Sequence, residues 1–522
     1  MRRFLLVFAL AVGVLALLAA PAMASARTFC VHPSGGDDTA NIQAAFNAAV
    51  AAGPGSTVKL TAGHFYTNNI VVAGFNGSFK GAGQNRTFID TLRGLNEKLP
   101  GLGLPVDPAD PTSFLAASPC FFTLDGGNVR VSDLTFDITA PDPAVESTYM
   151  GALQNRVDIV VLVTGSANSA FDHVGMVAHP SLPGFTSDYW PYNVNQGIFI
   201  MGRMTLDSDG YYVLPTTPVG GVDTVSSCTF QNVAHGVLEA TFDGKLTVGG
   251  SPGSGNRFVN EGQNAFTISG AGGTSSVFSY NIVDDSAVPD GGTQSGFVAF
   301  QPDNSTGFMP WPRRAVVAHN TMRGCWEGVF ALQTDDGSGG PLWPAHYLIS
   351  DNSITTTHGH DEGMYLEDDS LAAGGSKSLD AVISGNRIAL NDTIYGGIDG
   401  YFANDVQLLG NCISGSGVAG IYMGYGGDTD SGWRIIGNDV SGVNTAAADA
   451  DPLWGTQTAP IWLGPGTTDC TVIGGPRPTY VLDQGTNDTL INVTPIADPP
   501  AAAAMPMNAM KQLKHLKGMM RP

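Results

Sequence analysis

The stretch AVISGNRIALNDTIYGGIDGYFANDVQLLGNCISGSGVAGIYMGY (381–425) contains one unit twice. In each copy a short apolar segment ends around an Asn, as VISGNRI (382–388) and QLLGNCI (407–413). A second segment then starts at Gly, as GIDGYF (397–402) and GIYMGY (420–425). Outward from these, LISDNSI (348–354), VVAHNTM (316–322), RIIGNDV (434–440), SGNRFV (254–259) and FSYNIV (278–283) fit the first frame. Asn256, Asn281, Asn320, Asn352, Asn386, Asn411 and Asn438 thus share one place; in VSSCTF (225–230) and VSDLTF (131–136) it is taken by Cys228 and Leu134. The second frame recurs as GVLEA (236–240), AFTIS (265–269), GFVAF (296–300), GVFAL (328–332), GMYLE (363–367) and PIWLG (460–464).

Strand, turn, strand and loop, repeated without an intervening helix, make a β-solenoid whose successive coils stack as parallel sheets. The expected fold is an all-β, right-handed parallel β-helix. An Asn at one place in every coil can form an amide ladder inside it. A propeller would need four antiparallel strands per unit and a more uniform period.

The ends read differently from the repeat. Arg2 and Arg3, the apolar run Phe4–Ala20 and Ala24-Ser25-Ala26 have the order of a secretory signal peptide, so residues 1–26 are expected to be removed and the protein to be extracellular or periplasmic. No second long apolar stretch suggests a membrane span. The net charge is −22, and loss of two arginines leaves 22 basic against 46 acidic residues. Such a chain is not expected to bind nucleic acid, which requires cations on phosphates. Cys30, Cys120, Cys228, Cys325, Cys412 and Cys470 are widely spaced without a CxxC pair, and most are expected as small core residues. Residues 27–494 form the expected domain, acting as a monomer. Residues 495–522, rich in Pro, Ala and Met and then in Lys, read as a disordered basic tail.

Residues 37–60 supply an expected N-terminal cap. Asp37, Asp38 and Thr39 offer helix-capping oxygens, Ile42, Ala45, Phe46 and Ala49 recur at helical spacing, Gly53-Pro54-Gly55 ends the helix, and VKL (58–60) starts the first strand. The run DDTANIQAAFNAAVAAGPGSTVKLTAGHFY (37–66), followed by GSFKGAGQNRTFI (77–89), resembles the N-terminal cap of the pectate-lyase-like superfamily. The later copies resemble its generic β-helix repeat, over residues 30 to 493. That resemblance implies the fold. For activity it implies a range: pectate and alginate lyases, polygalacturonases, epimerases, phage tailspikes and surface proteins without known activity. Fold does not choose among them. Asp335-Asp336 before His358-Gly359-His360 resembles part of the polygalacturonase pattern, but the final Arg-Ile-Lys element is missing and the histidine element is HGH rather than GHG.

The chemistry-bearing residues gather in the second segments. Val329, Met364, Ile398 and Ile421 follow the Gly and read as core. Phe330, Tyr365, Asp399 and Tyr422 come next, then Glu367 and Tyr401 two places on; strand alternation turns both sets outward. Val298 is expected outward by the same count. Glu367 and Asp399 are candidate catalytic carboxyls, and His360 a candidate proton carrier beside Asp361 and Glu362. Tyr365, Tyr401 and Tyr422 suit stacking on sugar rings, and Arg313, with Arg314, read as lying in a loop, offers a cation for an acidic glycan. Calcium is the one cofactor suggested, by QTDDG (333–337), LEDDS (366–370) and GGDTDSG (426–432), to bridge an acidic protein to a uronate polymer. Two functions stay open. One is a polysaccharide hydrolase or lyase; the other is a non-catalytic protein that binds a cell-surface glycan.

Overall fold

The computed structural model describes residues 26–91, 120–139, 157–178, 194–201, 205–206, 212–213, 221–233, 235–240, 244–261, 264–269, 275–287, 296–301, 313–333, 345–356, 362–368, 379–424, 429–445 and 458–497. These residues form a right-handed parallel β-helix with one helix, α1 (Thr39–Ala52), at its N-terminal end. Ile42, Phe46 and Ala49 of α1 are fully buried against the first coils, as their spacing predicts. The Asp38 side chain makes no cap hydrogen bond; Asp37 accepts one from Thr39 N–H at 2.8 Å. A strand, Thr28–Val31, precedes the helix, and the next runs Ser56–Leu60, two residues longer than expected.

Each regular coil contributes three strands, here called leading, middle and trailing. In one coil these are Ala345–Ser350, Ser353–Thr356 and Met364–Asp368, in parallel register with Ala381–Ser384 and two parts of Arg387–Tyr401 in the next. One residue in the left-handed region turns the chain from leading to middle strand, for example Tyr280, His319 and Asp351 at φ 60°, 58° and 54°. The ladder residue follows it.

All seven asparagines stack inside the coil, 0–3% exposed. Each backbone N–H from Asn256 to Asn411 donates to Oδ1 of the next Asn at 2.9–3.0 Å, and each of those side-chain amides donates to the same oxygen. The amides also donate to leading-strand carbonyls one coil back, such as Asn386 to Ile349 O at 2.9 Å. The line extends toward the N-terminus through Cys228, whose N–H donates to Asn256 Oδ1, and then, by register, through Val174 and Leu134. The rungs are therefore apolar in the first coils and amide in the later ones.

The second corner, from middle to trailing strand, carries two buried acids. Asp285 Oδ1 accepts the backbone N–H of Glu261 at 2.8 Å, and the Glu261 carboxyl itself is fully buried at this corner. Burial pushes both carboxyls well above the ordinary carboxylate range, and the Asp285 charge raises Glu261 further. None of the six cysteines is bridged; four are buried, and Cys30 and Cys412 are exposed.

Candidate functional site

The chemistry gathers on the outer face of the trailing sheet, and a kink at glycine decides which residues reach that face. In EGVFALQ (327–333), the N–H groups of Gly328 and Val329 both donate to Gly363 O, at 3.0 and 3.3 Å. A Cβ on Gly328 would come within 2.7 Å of Ile354 Cγ2, and one on Gly363 within 2.6 Å of Ile388 Cγ2. The glycine place therefore faces the core, and so does the residue after it. Val329, Met364, Ile398 and Ile421 are fully buried there, as expected. Two consecutive inward places put the residue before the glycine on the outer face, together with the residue two after it. Side-chain clusters apart from the main core confirm this pairing: Ile159 packs with Leu162, and Ala419 with Tyr422.

Two lines of outward side chains follow by register. The line two places after the kink reads Phe330, Tyr365, Asp399, Tyr422, Trp462. Phe330 stacks on Tyr365 with ring centroids 5.3 Å apart, and Tyr422 packs against Trp462 at 4.9 Å with the rings tilted by 49°. Asp399 is the one charged residue among them. The line before the kink reads Gln196, His235, Asn264, Gly296, Glu327, Glu362, in which Glu362 is placed opposite Glu327 by the Val329–Met364 pairing. Glu327 and Glu362 are 4% exposed and Asp399 3%. Glu367 and Tyr401, registered with one another, are half-buried.

The sequence thus places Tyr365, Glu367, Asp399, Tyr401 and Tyr422 together on three successive coils, on the side away from the core. The expected exposure is corrected: Tyr365, Asp399 and Tyr422 are buried, because stacked aromatic neighbours shield each of them. Asp399 is registered with Tyr365, so Glu367 lies on the diagonal, with Cα atoms about 8 Å apart from strand spacing and rise. Val298 faces the core rather than outward, since Gly296 aligns with Glu327 and not with Gly328.

Glu327 and Glu362 complete a group of four carboxyls that alternation alone does not find. A count of two hides them, since the kink inserts an extra inward residue. Their signal in the sequence is an acid directly before the segment-opening Gly in two successive units. Arg313 opens the leading strand Arg313–Ala318 rather than standing in a loop, and Arg314 is exposed beside it; neither belongs to the trailing sheet. His358 and His360 lie outside the described residues, as do Asp335, Asp336 and Asp361.

The electrostatics of this sheet are one-sided. No trailing strand among the described residues contains Lys or Arg, whereas Lys59, Lys80, Arg130, Arg257, Arg314, Arg323, Arg387 and Arg434 stand on leading and middle strands. Among the described residues no group of three or more His, Cys, Asp or Glu could hold a metal ion. In the proposed calcium loop GGDTDSG, Asp430 accepts the N–H groups of Ala403 and Gly424, both at 2.6 Å, so its carboxylate serves the backbone. No helix among the described residues is long and apolar enough to cross a membrane.

No family model matches the sequence, and neither does any curated protein. Among solved structures the chain is similar to the A-module of the mannuronan C-5 epimerase AlgE6 of Azotobacter vinelandii, at 15% identity over 89% of this chain and 96% of that one, with a TM-score of 0.39. It is similar to PfbA, a surface adhesin of Streptococcus pneumoniae, at 13% identity over 78% and 93% of the chains, TM-score 0.41. A third similarity is to the polygalacturonase of Erwinia carotovora, at 10% identity over 92% and 96%, TM-score 0.33. Likenesses this distant decide neither activity nor substrate; the fold itself rests on the strand register.

Proposed function

We propose that this protein is a glycoside hydrolase acting on a neutral polysaccharide laid along the outer face of the trailing sheet. The observation that carries the reading is the set Glu327, Glu362, Glu367 and Asp399 on three successive coils, flanked by Tyr365 and Tyr422, in a sheet without a described Lys or Arg. Hydrolysis with inversion needs an acid and a base about 6.5–9.5 Å apart. The Cα atoms of Glu367 and Asp399 lie about 8 Å apart on one face, which lets their carboxyls adopt that separation. Asp399, held between two tyrosines, donates its proton to the glycosidic oxygen as the bond to the anomeric carbon breaks. Glu367, half-buried at the edge of this group, takes a proton from the attacking water. Glu327 and Glu362 stand buried beneath this face as fixed acceptors, and the half-buried Tyr401 ring packs against the apolar face of a sugar.

A uronate polymer would meet four carboxyls here and no described cation, so a lyase of acidic glycans is the weaker reading unless calcium bridges the charges. The same reading takes residues 1–26 as a cleaved leader and residues 27–494 as an exported monomeric domain of the pectate-lyase-like superfamily. N-terminal sequencing of exported protein checks this, and an intact Met1 would reject it.

The test is turnover of purified protein on neutral and acidic polysaccharides, with calcium and with a chelator. Release of reducing ends from a neutral polymer, lost in Glu367→Gln and Asp399→Asn with the fold intact, supports the hydrolase. Cleavage that yields unsaturated products from a calcium-held uronate polymer would replace it with a lyase. Binding without turnover, weakened in Tyr401→Ala with the fold intact, would make the protein a glycan binder.

A further inference from the structure

The two ends of the solenoid differ. At the N-terminal end the buried face of α1, Ile42, Phe46 and Ala49, covers the first coils. At the other end the last strands, Thr489–Ile491 and Thr494–Ile496, pair among the described residues only with the coil before them, at 471–473 and 480–482. Leu490 occupies a core line whose earlier members, Leu408, Ile435 and Val472, are 0–1% exposed, yet Leu490 is only partly buried. Val493 and Ile496 are likewise partly buried, and Ile491 and Tyr480 are 47% and 45% exposed. Among the described residues this terminal coil is an apolar surface whose outer strand edges have no partner strand.

The chain continues for 25 residues beyond Ala497, outside the described set. Its last part, MNAMKQLKHLKGMM (507–520), puts Ala509, Leu513, Leu516 and Met520 at steps of four, three and four. Ile42, Phe46 and Ala49 in α1 are separated by four and three. Steps of this kind put one apolar stripe on a helix. Lys511, Lys514, Lys517 and Arg521 fall on a separate stripe, and residues 499–522 contain no acid. The terminal coils carry Asp469, Asp483 and Asp488. The twelve residues from Asp498 to Ala509 can reach about 40 Å when extended, enough to return across the coil end.

We propose that residues 507–520 form an amphipathic helix that caps the C-terminal end of the solenoid, with Leu513 and Leu516 on Leu490, Val493 and Ile496 and the basic stripe toward the acids of the last coils. The occupant is this chain's own tail because its apolar spacing repeats that of the cap at the opposite end, its charge is opposite to that of the rim, and its linker is long enough.

Hydrogen exchange on the full chain tests the assignment, read on amides 487–497 in the parent, in L513E/L516E and in the charge reversal K511E/K514E/K517E. Protection of the central coils around residues 381–440 reports that each variant is folded. The expected result is slow exchange of 487–497 in the parent, at least tenfold faster exchange in L513E/L516E, a smaller acceleration in the charge reversal, and an unchanged monomeric mass. Equal exchange in all three proteins would overturn the proposal. Protection that is lost together with a dimer would assign the surface to a second copy instead. Unchanged protection with tail-dependent binding to phosphatidylglycerol vesicles would assign the tail to a membrane surface.

Discussion

Oδ1 of Asn386 accepts two hydrogen bonds from Asn352, one from its backbone N–H and one from its side-chain amide, both at 2.9 Å. One oxygen thus holds two donors of the coil before it, in a fully buried place. In Asn386→Ala the backbone N–H of Asn352 loses its partner, and its side-chain amide keeps only Val317 O. Asn411 Oδ1 loses the side-chain amide it accepts and keeps the backbone N–H of residue 386. A loss of about 1–3 kcal/mol is expected for a donor left unpaired. Denaturant unfolding of the variant checks it. A change within error would mean that the ladder adds nothing to stability.

The Glu261–Asp285 corner predicts a pH dependence. Both folded values are raised by burial, so the folded protein holds these protons more tightly than the unfolded chain. The resulting stability is fully present below the unfolded values, about 4, and is lost as pH rises through the raised folded values. Glu261→Gln removes one of the two titrations. Its melting temperature should fall less than that of the parent between acid and neutral pH, and equal slopes would count against the buried pair.

Gly363→Ala tests the kink. The added methyl would press on Ile388 Cγ2 at 2.6 Å and Gly397 O at 2.7 Å. Overpacking of this kind costs about 1–3 kcal/mol. The same change shifts Glu362 against Tyr365, so turnover should fall more than stability accounts for. A variant that melts and works like the parent would remove the kink from the description of the site.

Asp430→Asn separates a structural carboxylate from a metal ligand. An Asn can accept the N–H of Ala403 or that of Gly424 but presents its own N–H₂ to the other. Destabilisation by about 1–3 kcal/mol, the same with calcium and with a chelator, is expected. Rescue of the parent's stability by calcium would instead make Asp430 a ligand.

Much of this architecture is legible before any coordinates, because a solenoid writes the same local demand once per coil. The Asn place, the helical cap and the inward Val329, Met364, Ile398 and Ile421 all follow from spacing. The site is less legible. Glu327 and Glu362 share the outer face with Tyr365 only because Gly328 and Gly363 break the two-residue alternation, and that break depends on Ile354 and Ile388 of the middle strands. The exposure of Asp399 is likewise not a property of its own strand. It is set by Tyr365 and Tyr422, which are distant in sequence and adjacent in the stack.

The change along the ladder from Leu134 and Val174 to seven asparagines bears on how such a chain can change its length. Between Asn256 and Asn438 every rung presents the same acceptor to the coil before it, and every rung short of Asn438 finds that acceptor on the coil after it. A whole unit, such as the 25 residues that separate Asn386 from Asn411, can be removed or duplicated there and the cut faces still match. In the apolar coils the rungs differ in size, so a cut there joins unlike surfaces. The amide half is therefore the part of the molecule where duplication and recombination can alter the number of coils, and with it the length of the outer face, without remaking the core.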